Sequence, residues 1–475
     1  MGTRTERDSM GEMQVPAEAL YGASTQRAVL NFPVSGYRFG RRFIRALGMI
    51  KFAAAEANLS LGRLDAKVAA LIQKAAREVM DGLLDDQFPV DIFQTGSGTS
   101  TNMNANEVIA HRAMQLANGS LGDTKIHPND HVNMSQSSND VIPTAIHVAA
   151  VDAFHRDLQP ALHRLHKALA EKARQFDEIV KIGRTHLMDA TPIRLGQVFS
   201  GYASQIAHAE RRIGQKVVIL RELPIGGTAV GTGINTHPEF AKRVVDVINH
   251  QTHESFHEAQ NHFEAQHAKD AIVGSAAMLK TVAMSLAKVA NDIRWLSSGP
   301  RCGFAELTLP ATQPGSSIMP GKVNPVICES VLQVCAQVVG ADAAITWAGA
   351  MLGNFELHVG MPVMAHNLLE GTRLMTNVCH VFVEKCVEGL TANADRCRDL
   401  IEQSLMMCTS LAPIVGYDTA AKIAKEAHES GKTVRQVVEA KIKAGAIKLT
   451  EAQLAAALDP KSMTMPSDKV LPVSA

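Results

Sequence analysis

Four short segments rich in Gly, Ser, Thr and Asn hold most of the residues that could do chemistry. They are TGSGTSTNMN at 95–104, HPND at 127–130 leading into SQSSND at 135–140, GRTH at 183–186, and GSSIMPGKVNP at 315–325. Small hydroxyl and amide side chains, together with free backbone N–H groups at helix starts, bind carboxylates well. One such loop alone is usually a solvated turn. Four of them, with His and Lys among the donors, predict a site for a small polyanion.

Three other patterns resemble cofactor sites and fail on inspection. HESFH at 253–257 fits the zinc-protease pattern HExxH but lacks the Gly of its extended form, so a polar helix turn or a loop is favoured. Residues 315–322 end in Gly-Lys like a P-loop, but the spacing is one residue too long and Val323 replaces the Ser or Thr that binds magnesium. The Gly-rich run at 226–233 has no GxGxxG and no surrounding βαβ unit. We therefore expect no metal and no cofactor.

The elements that must position these segments are mostly helices. The 475-residue chain is 46% hydrophobic but only 4% aromatic, and strands favour aromatic and β-branched side chains. Stretches without proline at 161–191, 239–299 and 326–361 each leave room for a helix longer than about 20 residues. Apolar residues recur every three or four positions from 272 to 296, as in the seam of a long bundle helix. This predicts an all-α fold with a central bundle of long helices.

We expect three domains along the chain. A mostly helical N-terminal domain covers 1–135, the long-helix bundle covers 136–393, and a small helical domain covers 394–475. The helical patterns of the last domain are short, and Thr450 followed by Glu451 predicts a helix start near its end.

Charge and termini predict a cytoplasmic protein. Lys and Arg number 47, as do Asp and Glu, so the formal net charge is zero and offers no attraction to nucleic acid or anionic lipid. The start MGTRTERDSMGE is unlike a signal peptide, and no uninterrupted apolar stretch reaches the roughly 18 residues of a membrane span. Seven cysteines without a CxxC pair predict reduced, buried thiols.

At the four polar segments the sequence resembles class II fumarases of the fumarase/aspartase superfamily. The superfamily pattern GSSxMPxKxNP is intact at 315–325, and GSGTSTNMNANE at 96–107, HPNDHVNMSQSSND at 127–140, GGTAVGTGIN at 226–235 and GYDTAAKIAKEAH at 416–428 also look like family sequence. The segment IGRTHLMDATP at 182–192 is fumarase-like, whereas aspartate ammonia-lyases usually have Gln in place of His186. Aspartate ammonia-lyase, which releases fumarate and ammonia from L-aspartate, is the alternative, and a relative that has lost catalysis is a third possibility.

The resemblance implies reversible anti hydration of fumarate to L-malate through an aci-carboxylate intermediate, without metal. By resemblance, Ser316 is the base for the C3 proton and His186 handles the water at C2. Glu329 orients that histidine, and Lys322 stabilises the negative charge that develops. The groups expected to hold the substrate are Ser97, Gly98, Thr99, Ser137, Ser138, Asn139, Thr185, Ser317, Lys322, Val323 and Asn324. For Ser97 and Ser138 in particular, a role as a helix cap or turn former is kept as the alternative.

The resemblance also implies a second dicarboxylate site and a homotetramer in which three chains complete each active site. The second site would use His127, Pro128, Asn129 and Asp130. A Thr124-Lys125 pair precedes them where some relatives have two basic residues, which weakens this expectation. Two further departures are His262, where relatives usually have Lys, and HVGMP at 358–362.

Overall fold

The computed structural model of the protein describes residues 2–119 and 125–466. The helices are α1 (Ala23–Asn31), α2 (Arg41–Ser60), α3 (Ala66–Asp81), α4 (Thr99–Ala117), α5 (Ser138–Ala153), α6 (Gln159–Gln175), α7 (Leu195–Leu220), α8 (Phe240–Thr252), α9 (His262–His267), α10 (Asp270–Leu296), α11 (Val326–Met351), α12 (Met361–Phe382), α13 (Ala394–Gln403), α14 (Ala412–Val415), α15 (Tyr417–Ser430), α16 (Val434–Lys443) and α17 (Glu451–Ala457). The strands are β1 (Thr3–Asp8), β2 (Gly11–Pro16), β3 (Val180–Thr185), β4 (Met188–Arg194), β5 (Glu222–Leu223), β6 (His257–Glu258), β7 (Leu307–Thr308), β8 (Gly353–Asn354), β9 (Leu357–His358) and β10 (Thr391–Ala392). Each sheet among these residues has only two strands, so the predicted all-α class is confirmed.

Two of the three proline-free stretches hold long helices, α10 in 239–299 and α11 in 326–361, whereas 161–191 holds most of the 17-residue α6 and the hairpin β3–β4. Helices α7, α10, α11 and α12 have 26, 27, 26 and 22 residues. On α10 the seam read from the sequence is buried, with Ile272, Val282, Leu286 and Ile293 all fully shielded from solvent. Burial of this stripe is the main force that holds such a helix in place, because long helices gain most of their stability from packing.

The chain packs as two compact units. Unit 1 consists of Met1–Ala161, Ala209–Met284 and Val334–Asn377, and unit 2 of Leu162–His208, Ser285–Gln333 and Val378–Ala475. Each unit combines three separate stretches of the chain, so the units do not follow one another along the sequence as the predicted domains do. The three domains with boundaries near 135 and 393 therefore stay a prediction.

The core of unit 1 is built around α2, which packs against α3, α5 and α8. Its buried side chains include Phe43, Leu47 and Ile50. Helix α3 has strong local signals at both ends, because the Asp65 carboxylate accepts the N–H groups of Lys67 and Val68, and Gly82 ends the helix with a φ of +86°.

The C-terminal part of unit 2 has an apolar core of its own. Ile401, Leu411, Ile423, Val438 and Leu454 are among its buried members. The predicted start of α17 is confirmed, since Thr450 caps this helix and exchanges hydrogen bonds with Gln453 in a capping box.

Helices α10 and α11 are long and apolar enough to cross a membrane by length and composition, each with a mean hydropathy of 1.4. The core helices of soluble proteins pass the same test, so this property assigns no membrane location. On α11, however, Trp347 and Met351 are about 60% exposed, which leaves an apolar face of this helix open.

Candidate active site

His186 lies at the tip of a β-hairpin in unit 2. Strands β3 and β4 pair antiparallel with Thr185 opposite Met188, so His186 and Leu187 alone form the turn. Both have positive φ values, +56° and +62°, as a two-residue hairpin turn of type I′ requires. Asn and Gly normally occupy these positions, and a left-handed conformation costs other residues about 1–2 kcal/mol each. The turn places the imidazole and the neighbouring Thr185 in solvent.

A buried ion cluster anchors this hairpin. The Glu306 carboxylate, with no exposed surface, lies 3.2 Å from the Lys181 ammonium and 2.9 Å from the Arg184 guanidinium. The guanidinium also lies 4.2 Å from the centre of the Phe304 ring. Burial lowers the pKa of Lys181, while the field of Glu306 opposes that shift. Since Lys181 and Arg184 both belong to β3, the cluster fixes the strand that carries His186.

Ser316 lies in a loop that closes on itself. The Gly315 N–H donates to the Lys322 carbonyl at 2.8 Å, and the Asn324 amide donates back to the Gly315 carbonyl. A Cβ at Gly315 would lie 2.4 Å from the Lys322 carbonyl oxygen, so only glycine fits there. The loop borders an open recess of about 440 Å³, lined in part by Ser316, Lys322 and Val323.

The hydroxyl oxygen of Ser316 accepts hydrogen bonds from its own loop. It accepts the backbone N–H groups of Ile318 at 3.2 Å and Met319 at 3.0 Å. Two donors aimed at one oxygen favour negative charge on it. The geometry can therefore stabilise a serine alkoxide.

The other predicted residues of this segment differ in their availability. Within residues 2–119 and 125–466, the side chains of Ser317, Lys322 and Glu329 form no hydrogen bond or ion pair. Val323 is also exposed. The Asn324 amide already donates to the Gly315 carbonyl and thereby closes the loop. Glu329 lies in the first turn of α11, and neither it nor His186 pairs with the other within the described chain.

Unit 1 holds the other predicted substrate contacts, the first of them at the start of α4. Gly98 precedes the helix with a φ of +74°, and the Ser97 and Thr99 hydroxyls lie 2.8 Å apart. The loop is packed tightly, because a Cβ at Gly96 would lie only 1.9 Å from the Val359 carbonyl oxygen. Free N–H groups at such a helix start attract anions.

The remaining contacts lie at the start of α5. Ser137 caps the helix, and its own N–H donates to the Asp140 carboxylate at 2.9 Å in a capping box. The Ser138 hydroxyl is 9% exposed and accepts from Asn102 at 3.2 Å, while the Asn139 amide donates to the Ala229 carbonyl at 2.8 Å. The cap is therefore Ser137, whereas Ser138 is the first residue of the helix and is hydrogen-bonded to Asn102.

The starts of α4 and α5 are brought together in unit 1. Asn102 of α4 bonds to Ser138 of α5, and a Cβ at Gly98 would meet the Ile142 side chain at 2.9 Å. In unit 2 the His186 turn and the Ser316 loop form no hydrogen bond or ion pair with each other in the part of the chain that the structure describes.

The second predicted dicarboxylate segment forms one short π-helical turn, Pro128–Val132. The His127 ring lies 3.1 Å from the Asp130 carboxylate, and both side chains are more than half exposed. Thr124 lies outside the described residues. The segment HESFH is a loop as favoured, because His253 ends α8 with a φ of +60° and His257 belongs to β6; its Glu254 bonds to His155.

Sequence reasoning missed two groups behind the site. Lys51 is buried beneath the start of α5, and Glu306 is buried beneath the His186 hairpin. The only available signal for Lys51 was its place in the apolar run ALGMIKFAAA at 46–55, where a lysine has no solvent to reach.

Comparisons with known proteins identify the family of the chain. Residues 11–340 match the family described as Lyase, and residues 407–465 match the family described as Fumarase C C-terminus. A protein of Halobacterium salinarum named fumarate hydratase class II is 55% identical over 97% of both chains. Another of that name, from Rhizobium meliloti, is 50% identical over 98% of this chain and 99% of its own. A recombinant class II fumarase from Schistosoma mansoni has a crystal structure that matches with a TM-score of 0.93 and 38% identity, covering 98% of this chain and all of the other. These matches confirm the resemblance seen in the sequence, and the chain belongs to the class II fumarate hydratase family of lyases.

Proposed function

We propose that the chain interconverts fumarate and L-malate by anti addition and removal of water, with Ser316 and His186 acting on opposite faces of the substrate. The observation that carries this assignment is the pair of backbone N–H groups that point at the Ser316 hydroxyl oxygen. Family membership supports the reaction, and the loop geometry supports the choice of base.

Ser316 removes the C3 proton of L-malate in the dehydration direction. A serine hydroxyl is a weak base, so its alkoxide needs stabilisation. The N–H groups of Ile318 and Met319 supply part of it, and the free ammonium of Lys322 adds a positive charge on the same loop. Lys322 then also faces the aci-carboxylate, whose extra charge develops in the transition state.

His186 activates the water that adds to C2, or protonates the hydroxide that leaves. A histidine suits this work because its charge changes near neutral pH. Glu329 would orient the ring. Since these two side chains do not pair within one chain, we propose that Glu329 of one subunit meets His186 of another.

The substrate carboxylates bind to the starts of α4 and α5 and to the Ser316 loop, with different subunits contributing these segments to one site. The N–H groups at α4 and α5 attract anions, and the polar side chains around them are short. The proposed set is Ser97, Gly98, Thr99, Ser137, Ser138, Asn139, Thr185, Ser317, Lys322, Val323 and Asn324. A second, weaker site for a dicarboxylate would use His127, Pro128, Asn129 and Asp130.

A homotetramer would complete these sites and cover the open apolar faces. Trp347 and Met351 of α11 and Met284 and Trp295 of α10 are 47–63% exposed, and large exposed apolar patches mark association surfaces. Analytical ultracentrifugation should give four times the chain mass of 51.0 kDa, and a monomer with full activity would contradict the shared site. We propose a cytoplasmic location for this assembly.

The reaction is tested by following the ultraviolet absorbance of fumarate with purified protein and a chelator. Absorbance should rise on adding L-malate and fall when fumarate is hydrated, without metal or nucleotide. L-Aspartate serves as the comparison substrate, and release of ammonia at a comparable rate would favour the ammonia-lyase alternative. No change with malate or fumarate at high protein concentration would overturn the proposed function.

A further inference from the structure

A lysine without a carboxylate partner is buried beneath the helix starts of unit 1. Lys51 of α2 has no exposed surface. Its ammonium donates to the side-chain oxygens of Asn133 and Gln136, both at 2.9 Å, and forms no ion pair among the described residues. A buried charge is expensive unless it is paired, so stability alone does not explain this lysine.

The hydrogen bonds of Lys51 lead to the proposed carboxylate site. The Asn133 oxygen that accepts from Lys51 also accepts from the Asn102 amide at 3.2 Å, and this amide donates to Ser138 at 3.2 Å. Asn102 lies in the first turn of α4 and Ser138 in the first turn of α5. One side chain, Asn133, therefore separates the ammonium from Asn102 at the start of α4, and two, Asn133 and Asn102, separate it from Ser138 at the start of α5.

The charge of Lys51 is only partly balanced inside the protein. Asp140 is the anion whose field reaches it, but the Asp140 carboxylate already accepts the N–H groups of Ser137, Gly226 and Thr228. Burial lowers the pKa of Lys51 to about 7, and Asp140 opposes the shift. A dianion at the helix starts would supply the missing negative charge.

We infer that Lys51 is a positioning residue for fumarate, whose buried ammonium attracts the substrate carboxylate held at the starts of α4 and α5 and fixes Asn102 and Ser138 around it. This inference rests on the proposed function. An interaction of this kind acts on the bound dianion in the ground state and the transition state alike, so it changes KM and leaves kcat nearly constant.

The alternative is a purely structural role, in which Lys51 only satisfies the side-chain oxygens of Asn133 and Gln136. Two neutral variants separate the two roles. Lys51→Met removes both the charge and the hydrogen bonds, whereas Lys51→Gln keeps a donor of similar reach without charge. Lys172→Met is the matched control, because Lys172 of unit 2 is likewise buried, with 8% of its surface exposed, and its ammonium donates to the Leu390 carbonyl.

The experiment first measures wild-type hydration of fumarate; absence of activity there defeats the proposed function, not this inference. With an active wild type, Lys51→Met and Lys51→Gln should both raise the KM for fumarate about tenfold, as expected for a charge acting through a partly polar interior. Their kcat should stay within about threefold, and Lys172→Met should keep the wild-type KM. An unchanged KM in both Lys51 variants, or full recovery of KM in Lys51→Gln, overturns the inference.

A measurement on the wild type covers the case in which the variants do not fold. The elements packed against α2 include α3, α4, α5, α8 and the turn Pro128–Val132. Among them, α5 carries Asp140, the charged group whose field acts on Lys51. Burial raises the pKa of Asp140 to about 6, so this carboxylate is mostly ionised from pH 6.5 upward. Above pH about 7 the ammonium loses its proton, so the KM for fumarate should rise. A KM that stays flat from pH 6.5 to 9 overturns the inference.

Discussion

The two regions that carry the predicted site residues differ in how firmly their own chain holds them. In unit 1, Ser97 and Ser138 are 6% and 9% exposed and are hydrogen-bonded to neighbouring side chains. In unit 2, His186 and Lys322 are exposed and have no side-chain partner in the described parts of the chain. The first region is thus fixed by its own chain, whereas the second presents exposed side chains without partners among the described residues.

This difference matches the two tasks of the proposed reaction. Binding a carboxylate needs donors that are fixed beforehand, because ordering them later would weaken affinity. Proton transfer needs groups that reach the substrate, and in a shared site these groups must project from their own subunit. In the proposed site, the left-handed turn at His186 projects the imidazole, and the two positive φ values are the strain that this requires.

The largest effect is expected from removing the projecting imidazole. Asn tolerates the left-handed conformation, so His186→Asn should keep the turn while it lowers kcat about 10²- to 10⁴-fold, the usual contribution of a general acid or base. KM should change little, and the melting temperature should not fall, because Asn relieves the left-handed strain at this position. Leu187→Asn, in the same turn, is the control and should retain kcat in the fumarate absorbance assay. If His186→Asn keeps more than a tenth of kcat, the assigned role is wrong.

The next effect tests how tightly the loop before α4 is packed in unit 1. Gly96→Ala places a methyl group 1.9 Å from the Val359 carbonyl oxygen and should destabilise the protein by about 3 kcal/mol, at the upper end for overpacking. Gly321→Ala in the Ser316 loop meets no atom within 4 Å, although its φ is +81°, and should cost about 1 kcal/mol. Urea denaturation compares the two variants, and equal losses would remove the distinction between the regions.

The sequence predicted the helices well, but it did not predict which site residues are held firmly by their own chain and which are exposed. The α10 seam, the Thr450 cap and the four polar segments were all predictable, because periodicity, caps and motifs are local signals. The His186 hairpin was missed, since its turn contains His and Leu where a hairpin signal has Asn and Gly. Lys51 and Glu306 were missed because their partners lie 82 and 122 or more residues away in the chain, and no spacing rule reports such contacts.

Acid should destabilise the protein through two buried histidines of unit 1. Burial lowers the pKa of both His147 and His358 to about 4, below the usual value of about 6.5. Between these values the unfolded chain binds more protons, so stability is present above pH 6.5 and is lost as pH falls toward 4. The expected loss is on the order of 2 kcal/mol per histidine between pH 7 and pH 5.

Urea denaturation at the two pH values measures this loss. His358→Asn should reduce the loss of unfolding free energy between pH 7 and pH 5 by about 2 kcal/mol. The reason is that the His358 ring, which is 1% exposed and must stay neutral in the folded protein, is then absent. His186→Asn serves as the control and should leave the slope unchanged. The same slope in His358→Asn as in the wild type would contradict the assignment.

The smallest effect concerns strain itself, which each unit handles differently. Ser135 of unit 1 has a φ of +64°, and its hydroxyl donates to Asn58 at 2.9 Å, so the fold supports its left-handed conformation. Leu187 of unit 2 has a φ of +62° and is 70% exposed, so neither a hydrogen bond nor burial offsets its strain. Leu187→Asn should therefore raise the free energy of unfolding by about 1 kcal/mol, whereas Ser135→Gly should gain nothing, because the relief is offset by a lost hydrogen bond worth about 1 kcal/mol. If Leu187→Asn and Ser135→Gly raised the free energy of unfolding by similar amounts, unrelieved left-handed strain would not distinguish the His186 turn of unit 2 from unit 1.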